Sequence, residues 1–209
     1  MIRRRLVCRG AVQGVGFRPA VHRLASTLGL AGSVRNDADG ATIEVQGPAE
    51  DVARFERELP EALPPLARLG TLEAETVPLA SETAFQVAPS RVRARRRALI
   101  PPDAALCPRC RAELDDPADR RHRYPFTTCT DCGPRFTLAR ALPYDRERTS
   151  MAPFEPCVAC AAEYGDPATR RFHAEPICCP DCGPDPVSYT HLTLPTTCNL
   201  CRSRWAPAR

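Results

Sequence analysis

Eight cysteines supply the first chemistry legible in this chain. They stand as four Cys-x-x-Cys pairs, Cys107/Cys110, Cys129/Cys132, Cys157/Cys160 and Cys179/Cys182, and 18 residues separate the first pair from the second and the third from the fourth. A Cys-x-x-Cys turn aims two thiolates at one point. Two such turns make a tetrahedral shell for one zinc ion, with no position left for substrate. Shifted by 50 positions, the first half matches the second beyond its cysteines: Ala112, Glu113, Asp116, Pro117, Arg120 and Arg121 fall on Ala162, Glu163, Asp166, Pro167, Arg170 and Arg171. This internal duplication predicts two structural zinc sites. Because Cys178 aligns with Thr128, Cys179 is the expected ligand and Cys178 a spare thiol. Spacing leaves open whether each ion takes its ligands from one half or the halves exchange them. A fifth pair, Cys198/Cys201, has no partner pair and reads as incidental.

A second candidate site lies near the start, at Gln13-Gly14-Val15-Gly16-Phe17-Arg18. Glycines let backbone N–H groups approach an anion, a helix N-terminus favours negative charge, and an arginine fork fits phosphate oxygens. The third glycine of a dinucleotide fingerprint is absent, since Pro19 holds its place. A tight strand-to-helix turn with a surface arginine explains the same residues, and the loop alone does not choose between the two.

The elements around this loop follow from periodicity. Leu6–Val12 reads as a strand. Pro19 opens a helix with Ala20, Val21, Leu24, Ala25 and Leu28 on one face, and Gly29 ends it. Arg18 is then the last loop residue, since a following proline disfavours the helical region. Ser33–Arg35 and Thr42–Gln46 read as strands around the turn Asn36–Gly40. Glu50–Leu59 reads as a helix, with Val52, Phe55 and Leu59 buried, and Leu69–Val77 and Thr83–Ala88 as the last strands. The fold class is α+β: a β-α-β-β-α-β ferredoxin-like sandwich over residues 1–90, followed by the duplicated four-cysteine domain over 107–184.

Here the residues meet a resemblance. Gly10–Arg18 and Gly32–Gly40 resemble the two motifs of acylphosphatases. Carried over residue by residue, Arg18 clamps the phosphate with the loop amides of residues 13–18, and Asn36 orients the attacking water. Further on, Tyr124-Pro125-Phe126, Cys129–Thr137, Leu142–Arg146 and Arg171–Pro176 resemble the hydrogenase-maturation carbamoyltransferase family HypF. The resemblance covers residues 1 to about 184. It implies carbamoyl phosphate as substrate, and, in complete members, ATP as cosubstrate and the protein HypE as carbamoyl acceptor. Their larger C-terminal domains carry adenylation and transfer, so it implies a fragment that binds and hydrolyses carbamoyl phosphate without the transfer step. The alternatives are a stand-alone acylphosphatase with a zinc appendage and a zinc-ribbon nucleic-acid binder.

Composition narrows these choices. The net charge is +4, and all 29 basic residues are arginine. That modest charge argues against nucleic acid, and the repetition of Arg120, Arg121, Arg123 and Arg135 with Tyr124, Phe126 and Phe136 by Arg170, Arg171, Phe172 and His173 suggests packing against the zinc knuckles. His173 is expected at an interface rather than as a ligand, and His22 as a surface or packing residue. No run approaches the roughly 18 apolar residues of a membrane span, and Arg9 breaks the first apolar stretch, so the expected location is the reducing cytoplasm. Residues 91–106, with Arg91, Arg93 and Arg95–Arg97, read as a basic linker. Residues 185–209 read as a tail foreign to the rest: Val187–Thr196 resembles a translated sequencing-library adapter.

Overall fold

The structure, a computed structural model, describes residues 1–37, 39–91 and 99–186. The arginines of the linker beyond Arg91, the adapter-like stretch and Cys198/Cys201 lie outside the described residues.

The first part of the chain runs β1 (Ile2–Ala11), α1 (Phe17–Thr27), β2 (Ala31–Asp37), β3 (Gly40–Gly47), α2 (Ala49–Ala62), β4 (Arg68–Thr76) and β5 (Phe85–Val87). The sheet order is β4-β1-β3-β2-β5. Its first four strands pair antiparallel and make the ferredoxin-like sandwich, and β5 adds a short parallel strand beside β2. Apolar residues alternate along β1 and recur with helical period in the helices. Leu6, Cys8, Val34, Ile43 and Val45 therefore meet Val21, Ala25, Val52, Phe55 and Leu59 in one core.

Several boundaries differ from the sequence reading: β2 runs on to Asp37, so Asn36 and Asp37 are strand residues paired with β3 rather than turn residues, and β3 and α2 are longer at both ends than expected. β1 starts at Ile2 rather than Leu6, because Arg3, Arg4 and Arg5 are neutralised by Glu44, Glu82, Glu56 and Glu75. Helix α1 starts at Phe17, so Arg18 stands in its first turn rather than in the loop. A proline in the first turn leaves the residues before it free to be helical when Gly16, at φ 75°, makes the sharp entry.

Within the stretch expected to be linker, Asp103 and Ala104 are already paired with the cysteine-bearing part of the chain. The Asp103 carboxylate accepts from the N–H groups of Arg135 and Thr137, and Ala104 pairs with Gly133. The two copies are α3 (Pro108–Asp115) and α4 (Val158–Gly165), each opening between the cysteines of a pair, with a 3-10 turn at Arg146–Arg148 in the insertion between them. Arg123 and His173, 50 positions apart, both take the left-handed conformation (φ 57° and 51°) and donate their N–H groups to the equivalent carbonyls of Leu114 and Tyr164.

The copies bind each other by exchanging arginines. Arg120 Nη2 reaches Sγ of Cys160 at 3.3 Å, and Arg170 Nη1 reaches Sγ of Cys110 at 2.9 Å. Arg121 Nε donates to the carbonyl of Cys178 and Arg171 Nε to that of Thr128, both at 2.9 Å. Glu163 takes the first copy's arginines and Glu113 the second's. The expected packing role holds for these four and for Arg135, which is buried. It fails for Arg123, Phe126 and Phe136, whose side chains are exposed.

Arg171→Ala removes the donor to Thr128, Cys110 and Glu113 at once. Loss of one partner of a buried pair predicts destabilisation of about 3 kcal/mol, at the low end of the range because Glu113 reaches solvent. Urea unfolding measures it, and a change below about 1 kcal/mol would show that the copies stand independently.

Candidate functional site

Both cysteine clusters are assembled within single halves: Cys107, Cys110, Cys129 and Cys132 in one, Cys157, Cys160, Cys179 and Cys182 in the other. This closes the question that spacing left open. Sγ–Sγ separations are 3.8 Å for Cys107–Cys129, 3.7 Å for Cys129–Cys132, 3.7 Å for Cys157–Cys179 and 3.6 Å for Cys160–Cys182. A tetrahedron with metal–sulfur bonds of about 2.3 Å has sulfur edges of about 3.8 Å, so the donor set fits a zinc ion. Cys178 is outside both clusters and faces the Tyr124 hydroxyl at 3.7 Å.

The loop at residues 13–18 lies under the second domain. Gly14 and Gly16 both have positive φ, at 70° and 75°. A side chain at Gly14 would stand 3.2 Å from the Tyr144 ring, and one at Gly16 3.0 Å from Thr130. These glycines therefore serve the turn and also the close approach of the fingers. Arg135 donates to the carbonyl of Gly14. Among the described residues, no backbone carbonyl accepts from the N–H groups of Gly14 to Arg18, which leaves a row of free donors at the N-terminus of α1.

Not every side chain expected in the loop is free to meet a ligand. That of Gln13 is engaged: its amide donates to the carbonyls of Asp37 and Gly40, and its oxygen accepts from Tyr144 N–H at 2.9 Å. It is a strut between loop, hairpin and fingers. The side chains of Val15 and Phe17 are in the core, so only their backbone is available.

Arg18 and Asn36, distant in sequence, line one cavity of about 20 Å³ with Gly14, Tyr144, His173 and Glu175. Arg18 Nη2 donates to Glu175 Oε1 at 2.6 Å, and Nη1 to Asp145 Oδ1 at 3.2 Å. Asn36 is 1 % exposed, and its Oδ1 has no partner. Its Nδ2 makes only a long contact, 3.5 Å, to the Tyr144 carbonyl. A larger groove of about 370 Å³ lies over the sheet among Arg5, Arg35, Asp37 and Glu44. There the charges pair with one another, although Asp37 Oδ1 and Arg35 Nε lack hydrogen-bond partners, as Asn36 Oδ1 does in the small cavity.

Three residues of this site carried no signal on their own: Tyr144, Asp145 and Glu175 stood only within stretches of the family resemblance. Glu175 is 4 % exposed, and burial raises its carboxyl above the usual range against the pull of Arg18. His173, expected at an interface, is there: its Nδ1 lies 3.2 Å from the Tyr164 hydroxyl and its ring edges onto Phe172. His22 packs against Phe85 of its own domain and, across the same boundary, against Phe172.

Burial, with Arg18 and His22 adding to it, pushes the His173 imidazole down to about 4 from an ordinary 6.5. A depressed value means that the neutral ring contributes stability above pH 6.5, and that this is lost as pH falls through about 4. His173→Gln should therefore flatten the acid limb of the stability profile in that window by about 2 kcal/mol, allowing for solvent on its open side. Urea unfolding of both proteins at matched pH reads the difference, and parallel profiles would refute it.

Comparison with known proteins finds matches in both parts of the chain. The acylphosphatase family profile matches residues 4–87, and that of the HypF finger matches 106–139 and 157–186. "Carbamoyltransferase HypF2" of Cupriavidus necator is 52% identical over 158 residues, 75% of this chain and 20% of that protein. An acylphosphatase of Caldivirga maquilingensis is 42% identical over 76 residues, 35% of this chain and 79% of that protein. The crystal structure of a full-length HypF in the phosphate- and nucleotide-bound form superposes with a TM-score of 0.85 at 42% identity, over 88% of this chain and 24% of that one. The chain thus spans about a fifth of the carbamoyltransferase that it matches. Among the described residues, no helix is long and apolar enough to cross a membrane. Through residues 4–87 the chain belongs to the acylphosphatase family, and with the paired fingers that follow it matches the N-terminal part of HypF-type proteins.

Proposed function

We propose that the cavity between the two domains binds an acyl phosphate, carbamoyl phosphate in particular, and directs a water onto it. The observation that carries this reading is the buried, unpartnered Oδ1 of Asn36 beside the guanidinium of Arg18. A buried acceptor without a partner is costly unless a water or ligand serves it, and the cavity has room for one water. The free N–H groups of the loop and Arg18 take the phosphoryl oxygens. Asn36 Oδ1 accepts from the water and holds it for in-line attack. The P–O bond to the acyl oxygen breaks, giving inorganic phosphate and carbamate, and no strong general base is required because the leaving group is a good one. Positioning and charge stabilisation carry the rate.

The closed cavity is too small for an acyl phosphate. The wall that yields is the side chain of Tyr144, whose buried hydroxyl has no partner, while its backbone N–H stays on Gln13 at 2.9 Å. Glu175 is held more firmly, by hydrogen bonds of 2.6 to 3.1 Å. That a full-length relative was crystallised in a phosphate- and nucleotide-bound form is in keeping with this reading. Within a full-length protein, the carbamate would serve ATP-dependent carbamoyl transfer to HypE for hydrogenase maturation, and the free thiols suit a reducing cytoplasm. The two clusters hold structural Zn2+, which supplies folding energy and no open coordination position.

Phosphate release from carbamoyl phosphate tests the site. Arg18→Ala should lower kcat/KM at least 100-fold, and Asn36→Ala should lower kcat with KM little changed. Retained turnover in Arg18→Ala would place the chemistry elsewhere. Metal analysis tests the clusters: Cys129→Ser should release about one of two zinc ions, and Cys178→Ser none. Loss of metal from the second variant would reverse the assignment of ligands.

A further inference from the structure

Glu175 stands where the repeat does not call for it. Its counterpart in the first copy is Pro125, and that copy gathers its four cysteines with no carboxylate there. Glu175 is not a member of either cluster. Its Oε2 accepts from the N–H of Arg146 at 3.0 Å and from the Tyr164 hydroxyl at 3.1 Å, and its Oε1 accepts from Arg18. Tyr164 belongs to α4, which opens inside the second cysteine cluster, and Arg146 is tied to the carbonyls of Glu175 and Ile177. The carboxylate is therefore fixed by the second finger on one side and grips the acylphosphatase domain on the other.

Arg18 needs such a grip. Both of its charged partners, Asp145 and Glu175, come from the second domain, and its own domain offers none among the described residues. A guanidinium fork recognises an anion only when its plane is aimed at it, and an unsupported arginine has four rotatable bonds with which to miss. We propose that Glu175 is a positioning residue for the anion site: it orients Arg18 towards the loop donors, so that the site of residues 13–18 is incomplete without the second finger. The inference rests on the acyl-phosphate reading of that loop. It makes a prediction opposite in sign to simple electrostatics, since a carboxylate that merely occupied the anion's place would, once removed, let phosphate bind more tightly.

The test is calorimetric titration of the zinc-loaded chain with inorganic phosphate, using wild type, Glu175→Ala, Glu175→Gln, Arg18→Ala and the double Arg18→Ala/Glu175→Ala. Glu175→Ala should weaken phosphate at least tenfold, and Glu175→Gln, which keeps an acceptor for Arg18, should fall between it and wild type. If Glu175 acts through Arg18, the double variant binds no more weakly than Arg18→Ala alone. A role in folding alone would not produce that non-additivity. Unchanged or tighter binding in Glu175→Ala, or losses that add in the double variant, would overturn the proposal. Should Glu175→Ala lose its zinc, the near-isosteric Glu175→Gln decides: weaker phosphate at full zinc content supports the positioning role, and unchanged phosphate refutes it. Wild type that binds no phosphate removes the anion site and this inference with it. Binding that needs Arg18 but not Glu175 removes this inference alone.

Discussion

The second domain depends on the exchange of arginines between its two copies. Four thiolates around a divalent cation leave an excess of two negative charges, and each cluster meets that excess with arginines from the other copy. Charge-assisted hydrogen bonds of this kind are strong and directional, and Arg121 and Arg171 are buried, where an unpaired charge is expensive. Neither copy can neutralise itself in this arrangement. The fingers are one unit, and everything suspended between the copies inherits a fixed position. Tyr144 and Asp145 are in that intervening segment, Arg135 just before it, and Glu175 on the approach to the last pair of cysteines. The contacts that enclose the loop of the first domain come from these residues.

Much of this was legible in the sequence because it was written twice. Duplication fixed the register of the ligands, separating Cys179 from Cys178, and singled out the arginines at 120, 121, 170 and 171 before any contact was known. Hydrophobic period placed the sandwich equally well, since Val52, Phe55 and Leu59 have no other reason to recur at helical spacing. What periodicity could not show were partners across the sheet. Three arginines in a row do not read as a strand until Glu44, Glu75 and Glu82 are brought opposite them. Gln13 illustrates the same difficulty at the site. Its position in a glycine loop suggested a ligand contact, and only the folded chain shows its side chain engaged by Asp37, Gly40 and Tyr144.

The departures from the repeat are as informative as the repeat. Positions common to both copies serve what both copies do, which is to hold cysteines and exchange charge. Positions that differ serve contacts that only one copy makes. His173 replaces Arg123 in the same left-handed conformation, so the backbone feature belongs to the fold and the imidazole to the boundary with α1. Tyr164 replaces Leu114, and Glu175 replaces Pro125. Together they build the buried frame that reaches Arg18. Arg135 has Asp185 as its counterpart, and it too is spent on the first domain, at the carbonyl of Gly14.

The two groups of arginines therefore answer different demands. The shared set points into the fingers and is engaged by thiolates, carbonyls and glutamates of the opposite copy. Arg18 belongs to the other domain, stands in the first turn of a helix whose loop donors are free, and borrows its counter-charges across the boundary. A guanidinium held by carboxylates that it does not own can trade part of that pairing for a phosphoryl group without leaving its position. That difference, more than the number of arginines in the chain, separates a residue that packs from one that can bind.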